Sequence, residues 1–259
     1  RTLVMQLYHN YGVRNIHGFR YGFQGFISSY GHEIKELTPE SVQNIHYLGG
    51  SILSSSRGPQ DIREIVDCLI RLDIHILFCI GGDGSLRGAH SISEEIQKRQ
   101  LKLAVLGIPK TIDNDLLATE VSFGFNTAVQ TATEAIDKVH TTAASHDRVM
   151  IVEVMGRNAG WIALEAGLSG GVDIILIPEI PFHIKKIGDK LKQRTKAGRL
   201  SSIIVVAEGA APLGENPVYL KQKNTEAHPR LGGIGFAVSN ICLLYTSDAA
   251  DDTPCVDLG

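Results

Sequence analysis

The apolar positions of this chain fall into two alternating periods. Residues 74–80 ("IHILFCI"), 101–109 ("LKLAVLGIP"), 148–155 ("RVMIVEVM"), 172–178 ("VDIILIP") and 201–210 ("SSIIVVAEGA") hold short, nearly continuous apolar runs rich in β-branched residues. Such runs predict strands, and residues 74–80, continuously apolar and β-branched, predict a parallel strand covered on both faces. Between them the spacing changes to three and four. Helices are predicted at about residues 86–99, 126–144 (with Val129, Ala132, Ile136 and Val139 on one face), 161–170 and, lysine-rich, 185–196. Upstream, "PQDIREIVDCLIRLD" has helical periodicity with a proline in its first turn, and "RTLVMQLYHN" reads as the body of a helix. Strand and helix in alternation predict an α/β fold with mostly parallel sheets, in which ligands sit beyond the carboxyl ends of the strands.

The last stretch, "CLLYTSDAADDTPCVDLG" (residues 242–259), breaks this pattern. It resembles a translated transposase adapter and is expected to be non-native; the alternative is a genuine irregular tail.

Composition narrows the function without deciding it. The 259 residues are 43% hydrophobic and 20% charged, with a net charge of −3, an ordinary globular balance. No basic footprint for nucleic acid and no polybasic membrane surface is visible, and the apolar runs are too short to span a bilayer. The cysteines Cys68, Cys79, Cys242 and Cys255 lack metal-ligand spacing. They read as reduced thiols of a cytoplasmic protein.

The chemistry lies where strands end. "GGDGS" (81–85) links a strand to a helix. Its glycines let backbone N–H groups approach phosphate oxygens, and Asp83 among them suggests a Mg²⁺ between protein and polyphosphate. A tight turn with Asp83 as helix cap is the plainer alternative. "PKTIDND" (109–115) adds Thr111, which can hydrogen-bond a phosphoryl oxygen, and Asp113 and Asp115, either of which can take a proton from an attacking hydroxyl. An Asx-turn network explains either aspartate but not the set. "MGRNAG" (155–160) again opens a helix whose N-terminus is a ready anion site, with Arg157 as a guanidinium fork and Arg148 at the start of the same strand. Surface ion pairing is the alternative for each arginine. Glu208 in "AEGA" can accept hydrogen bonds from sugar hydroxyls, or merely cap a helix, and Arg57 in "SSSRG" stands in a loop suited to a nucleotide contact. Together these residues point to phosphoryl transfer onto a phosphorylated acceptor.

In their order along the chain, "GGDGS", "PKTIDND", "SFGFNTAV", "ASHDR", "VEVMGR" and "AEGA" resemble the 6-phosphofructokinases, over about residues 1–240. "PKTIDND" followed by "MGR" is specific; "GGDG" alone is shared with NAD kinases and diacylglycerol kinases. The resemblance implies two doubly wound, mostly parallel-sheet Rossmann-like domains: a phosphoryl-donor domain at residues 1–125 and a sugar-phosphate domain at 126–241. It implies ATP and Mg²⁺ as donor and cofactor, fructose 6-phosphate as acceptor, and a homo-oligomer, dimer or tetramer. By position, Asp113 would be the base at the sugar 1-hydroxyl, flanked by Thr111 and Asp115. Asp83 would hold Mg²⁺, and Gly82, Gly84, Ser85 and Arg57 would hold the donor. Arg157 would stabilise the transferring charge, and Met155, Gly156 and Glu208 would hold the sugar. Arg148 would reach the sugar phosphate from a neighbouring subunit.

The donor signature is mixed. Gly84, where pyrophosphate users carry aspartate, favours ATP; Lys110, where bacterial ATP users carry glycine, is usual in pyrophosphate users. Plant-like and kinetoplastid-like ATP enzymes show the same mixture. The chain also stops short of the family's "GHxQRGG"-type segment and starts after its first strand and Gly-Gly loop, so as given it is expected to be inactive. A non-catalytic regulatory homologue is the reading from another class, and the presence of both Asp83 and Asp113 argues against it.

Overall fold

The structure, a computed structural model, describes residues 1–218 and 232–246. Contacts divide the chain into two compact units, Arg1–Ile108 and Pro109–Gly259. The division expected after residue 125 differs from this one. The end of the strand at 104–111 pairs with residues 123 and 124, which lead directly into a long helix, so that stretch groups with the second unit.

The first unit opens with α1 (Thr2–His9), followed by the antiparallel pair β1 (His17–Phe19) and β2 (Ile34–Glu36) and the short α2 (Pro39–Val42). Its α/β part then begins with α3 (Ile62–Arg71). Asp61 Oδ1 caps α3, accepting from Arg63 N at 2.8 Å. Pro59 therefore precedes the cap instead of occupying the first turn, a correction to the sequence expectation. β3 (Ile76–Gly81) runs into α4 (Asp83–Lys98), and β4 (Ala104–Thr111) follows. α4 starts earlier than its periodicity predicts, because its first turn is the "GGDGS" loop itself.

β3 departs from expectation in its burial. Leu77 and Cys79 are buried against Ile65, Val66 and Leu69 of α3 and Ala89, Ile92 and Ile96 of α4. Ile76 and Ile80, on the opposite face, are 49% and 58% exposed, and Leu106 of the neighbouring β4 is exposed too. Both helices pack on one face, so the strand alternates despite its continuous apolar sequence.

In the second unit β5 (Phe123–Gly124) pairs in parallel with the end of β4. It is followed by α5 (Phe125–Ser145), β6 (Val149–Val154), α6 (Trp161–Ser169), β7 (Ile174–Leu176), α7 (Ile184–Lys196), β8 (Ser202–Ala207) and α8 (Ile234–Thr246). The sheet order is β6-β8-β7, all parallel, with Val149 opposite Ser202 and Val154 opposite Ala207. This sheet is covered on both faces, and all six residues of β8 are buried. Ile151, Ile204 and Val206 face Ile187 and Leu191 of α7 and Ile234 and Val238 of α8. Met150, Val152, Ile203 and Val205 face Ile136 and Val139 of α5 and Ala163 and Ala166 of α6.

A polar clasp closes the amino end of this sheet. Arg194 pairs with Asp173 at 2.7 Å and donates to Ser202 Oγ at 2.8 Å, while Asp173 Oδ2 accepts from Ile203 N at 2.9 Å. Cys68, Cys79 and Cys242 are buried, and burial pushes the Cys79 thiol up to about 11. Cys242 packs within the α7–α8 cluster, whereas residues 247–259 of the expected adapter tail, Cys255 included, lie outside the described residues. Among the described residues no helix is long and apolar enough to cross a membrane.

Candidate active site

The "PKTIDND" loop is held by side chains that the sequence reading did not single out. Ser122, 2% exposed, donates its hydroxyl to Thr111 O at 2.7 Å. Asn114 Oδ1 accepts from Ser122 N at 2.9 Å, and Asn114 Nδ2 donates to Glu120 O at 3.2 Å. Asn114 takes φ +52°, a left-handed conformation that Asn tolerates better than most residues. Thr111 Oγ1 accepts from Asp113 N at 3.2 Å, which folds Asp113 back over the strand end.

Asp113 is half-buried and its Oδ1 has no hydrogen-bond partner. Burial, and then the neighbouring charge of Asp115, raise its proton affinity above the ordinary aspartate value, against the pull of Lys110. Lys110 thus acts on the electrostatics of Asp113. Asp115 and Lys110 are themselves exposed.

β6 and β8 are parallel neighbours, so the loops that follow them emerge together. Two glycines make this close approach possible. A Cβ on Gly209 would lie 2.0 Å from Arg157 O, and Gly156 holds φ +145° with Ala159 O only 2.7 Å from where its Cβ would be. Gly209 N donates to Gly156 O at 3.0 Å and Glu208 N to Val154 O at 2.9 Å. Glu208 is thereby placed beside the Met155–Arg157 loop. Burial chiefly raises its proton affinity, helped by Asp113 and Glu153 and opposed by a Gly156 N–H and Arg157. Asp113, Glu208 and Arg157 thus share one electrostatic neighbourhood. Met155 is exposed at its edge.

Two further expectations are corrected or sharpened. The N-terminus of α6 is not open to an outside anion at its first amide, because Gly160 N donates to Glu179 Oε1 at 2.8 Å. Glu179 follows β7 and supplies the carboxylate from within the chain, a partner that local spacing could not reveal. Arg148 stands at the start of β6, opposite in the strand to Arg157 and Glu208. Six residues of strand separate these ends by roughly 20 Å, so the structure does not bring Arg148 to the Asp113–Glu208 neighbourhood of its own chain.

In the first unit, Gly82 is the N-cap of α4, and Asp83, Gly84 and Ser85 form its first turn. No side chain caps that turn, and a Cβ on Gly84 would meet nothing within 4 Å. Asp83 is exposed and paired with Arg87 at 2.7 Å. Arg57 is exposed in the loop before α3. Among the described residues no group of three His, Cys, Asp or Glu side chains could hold a metal alone. A single carboxylate beside an open helix N-terminus fits instead a divalent cation held mainly by phosphate oxygens and water.

Residues 1–243 match the Phosphofructokinase family. The chain belongs to that family. It is 45% identical over 252 residues to "ATP-dependent 6-phosphofructokinase 2" of Clostridium perfringens, covering 90% of this chain and 65% of that one. It is 43% identical over 227 residues to "Pyrophosphate--fructose 6-phosphate 1-phosphotransferase" of Amycolatopsis methanolica, covering 84% of this chain and 63% of the relative. Among solved structures, Pichia pastoris phosphofructokinase in the T-state is similar with a TM-score of 0.80 and 26% identity, over 99% of this chain and 27% of that chain. The chain thus spans less than two thirds of the length of these phosphofructokinase relatives.

Proposed function

We propose that this chain carries the reaction centre of an ATP-dependent 6-phosphofructokinase, a glycolytic enzyme of the cytoplasm that transfers a phosphoryl group to the 1-hydroxyl of fructose 6-phosphate. The observation that carries the reading is Asp113, a half-buried carboxylate with one unpartnered oxygen and raised proton affinity, beside Glu208 and Arg157. A base in phosphoryl transfer needs an oxygen free to accept the hydroxyl proton, which leaves late in the reaction. Asp113 takes that proton, while Thr111 and Asp115 orient the hydroxyl and the transferring group. Arg157 balances the charge that gathers on the phosphoryl oxygens. Glu208, with Met155 and Gly156, holds the sugar.

The first turn of α4 at Gly82–Ser85, with Arg57, receives the donor phosphates, and Lys110 bears on the choice of donor. Asp83, paired here with Arg87, would hold Mg²⁺, which would supply neutralisation of phosphate charge. Arg148 serves the sugar phosphate of a second copy in a homo-oligomer, consistent with its place at the far end of β6. Pyrophosphate as donor is the second reading, favoured by Lys110 and by the likeness to the Amycolatopsis methanolica protein.

The test is turnover of fructose 6-phosphate by the full-length enzyme containing this chain, with ATP and with pyrophosphate side by side. ATP is expected to give a kcat/KM at least ten times higher. Equal or better use of pyrophosphate rejects the donor assignment, and no transfer from either donor rejects the reaction.

A further inference from the structure

Glu153 lies on β6, two residues before Met155, and none of the roles above uses it. Its carboxylate spans to a segment eighty residues away: Oε1 accepts from Gly233 N at 3.0 Å and Oε2 from Gly235 N at 2.8 Å. These amides open α8, where the first helical N–H groups lack partners within the helix. The fit is close. A Cβ on Gly235 would stand 3.0 Å from Glu153 Oε2, and Gly232 and Gly233 hold φ +144° and +84°, which side chains disfavour. Next to them Ile234 and Val238 are fully buried against Ile151 and Val206. The carboxylate therefore joins the strand that presents the Met155–Arg157 loop to a helix anchored on the same sheet.

We propose that Glu153 is a positioning residue for the sugar side of the site: it clasps the first turn of α8 to β6 so that the Met155–Arg157 loop, Glu208 and α8 move as one body. The proposal rests on the function proposed above. Its charge also reaches the site. The groups acting on Glu208 are Asp113 from the loop after β4, Glu153 from β6, and Arg157 and the Gly156 N–H from the loop after β6. Removing the Glu153 charge lowers the proton affinity of Glu208, so Glu208 stays ionised, and able to accept from sugar hydroxyls, to lower pH.

Two substitutions in the full-length enzyme test this. Glu153→Gln keeps the shape but loses the charge and one of the two accepted bonds. Glu153→Asp keeps the charge with a shorter reach. In Glu153→Gln, hydrogen exchange of the first α8 turn is expected to quicken roughly three- to thirtyfold, the range that loss of a helix cap produces, while β8 amides keep their protection. The KM for fructose 6-phosphate rises severalfold with kcat and the ATP KM within twofold, and the acid limb of sugar binding moves to lower pH. Glu153→Asp is expected to restore the acid limb without fully restoring α8 protection. Unchanged exchange at α8 overturns the clasp. Faster exchange with an unchanged sugar KM and acid limb overturns the positioning role and leaves only a helix cap. Wild-type turnover of fructose 6-phosphate, read first in the same assay, separates failure of this proposal from failure of the underlying function.

Discussion

The hydroxyl of Ser122 donates to the carbonyl of Thr111 at 2.7 Å, tying the entrance of α5 to the strand end that leads into Asp113. Asn114 completes the tie from within the loop, by side-chain bonds to Ser122 N and Glu120 O. Asn114→Ala removes both bonds and sets alanine at φ +52°, where an L-residue costs about 1–2 kcal/mol. Asn114→Gly removes the bonds but accepts the backbone. Both are expected to lower kcat roughly ten- to hundredfold through misplacement of Asp113, with a larger drop in Tm for alanine. Equal Tm values for the two variants would show that backbone conformation contributes nothing.

Asp113→Asn separates function from stability. Its kcat is expected to fall by 10²–10⁴, the usual contribution of a general base. Its stability should move the other way. A carboxyl whose folded proton affinity is raised favours folding fully below its ordinary value of 3.8 and loses that contribution as pH rises through the raised value. At pH 7.5 the wild-type chain therefore holds a buried, ionised, part-satisfied carboxylate. Asparagine relieves it by about 1 kcal/mol, the order of one orphaned acceptor, and the gain shrinks toward pH 4. Thermal melts of both proteins at pH 4 and 7.5 measure this; a destabilised Asp113→Asn at neutral pH contradicts it.

Lys110 faces two tests at once. Its charge lowers the proton affinity of Asp113. Lys110→Ala is therefore expected to move the acid limb of kcat/KM to higher pH, whichever donor is used. A profile unmoved with ATP, or moved to lower pH, shows that Lys110 does not act on the base.

The clasp of Arg194 on Asp173 is a stability device remote from the chemistry. Their side chains are only 15% and 18% exposed, and Asp173 also satisfies Ile203 N. Arg194→Met strands that carboxylate and is expected to cost about 3–5 kcal/mol. Denaturant unfolding reads the loss, and a change below 1 kcal/mol would mean that water replaces the guanidinium.

What the sequence disclosed follows from range. Parallel strands and their helices are written in local periodicity, so β6, β8 and α5 lie close to their predicted spans. Motifs at strand ends locate Asp113, Arg157 and Glu208, because chain direction in a parallel sheet fixes which end faces the ligand. Continuous apolar runs do not report cover: β3 and β8 read alike, yet β8 is buried on both faces and β3 on one. Nor could local spacing show that Glu179 caps α6 from 19 residues away, or that Glu153 caps α8 from eighty. Asn114 stands inside the motif, between two aspartates that drew the chemical reading. Its left-handed backbone, which asparagine tolerates, was the available signal.

The bare face of β3 and β4 has a colloidal consequence. Ile76, Ile80 and Leu106 are exposed aliphatic side chains on adjacent strands, and grouped apolar exposure marks a binding face or an aggregation liability. Salting-out anions strengthen association of such surfaces and low concentrations of urea weaken it. For this chain, with a net charge of only −3, the choice of buffer ions is expected to alter how readily it stays dispersed.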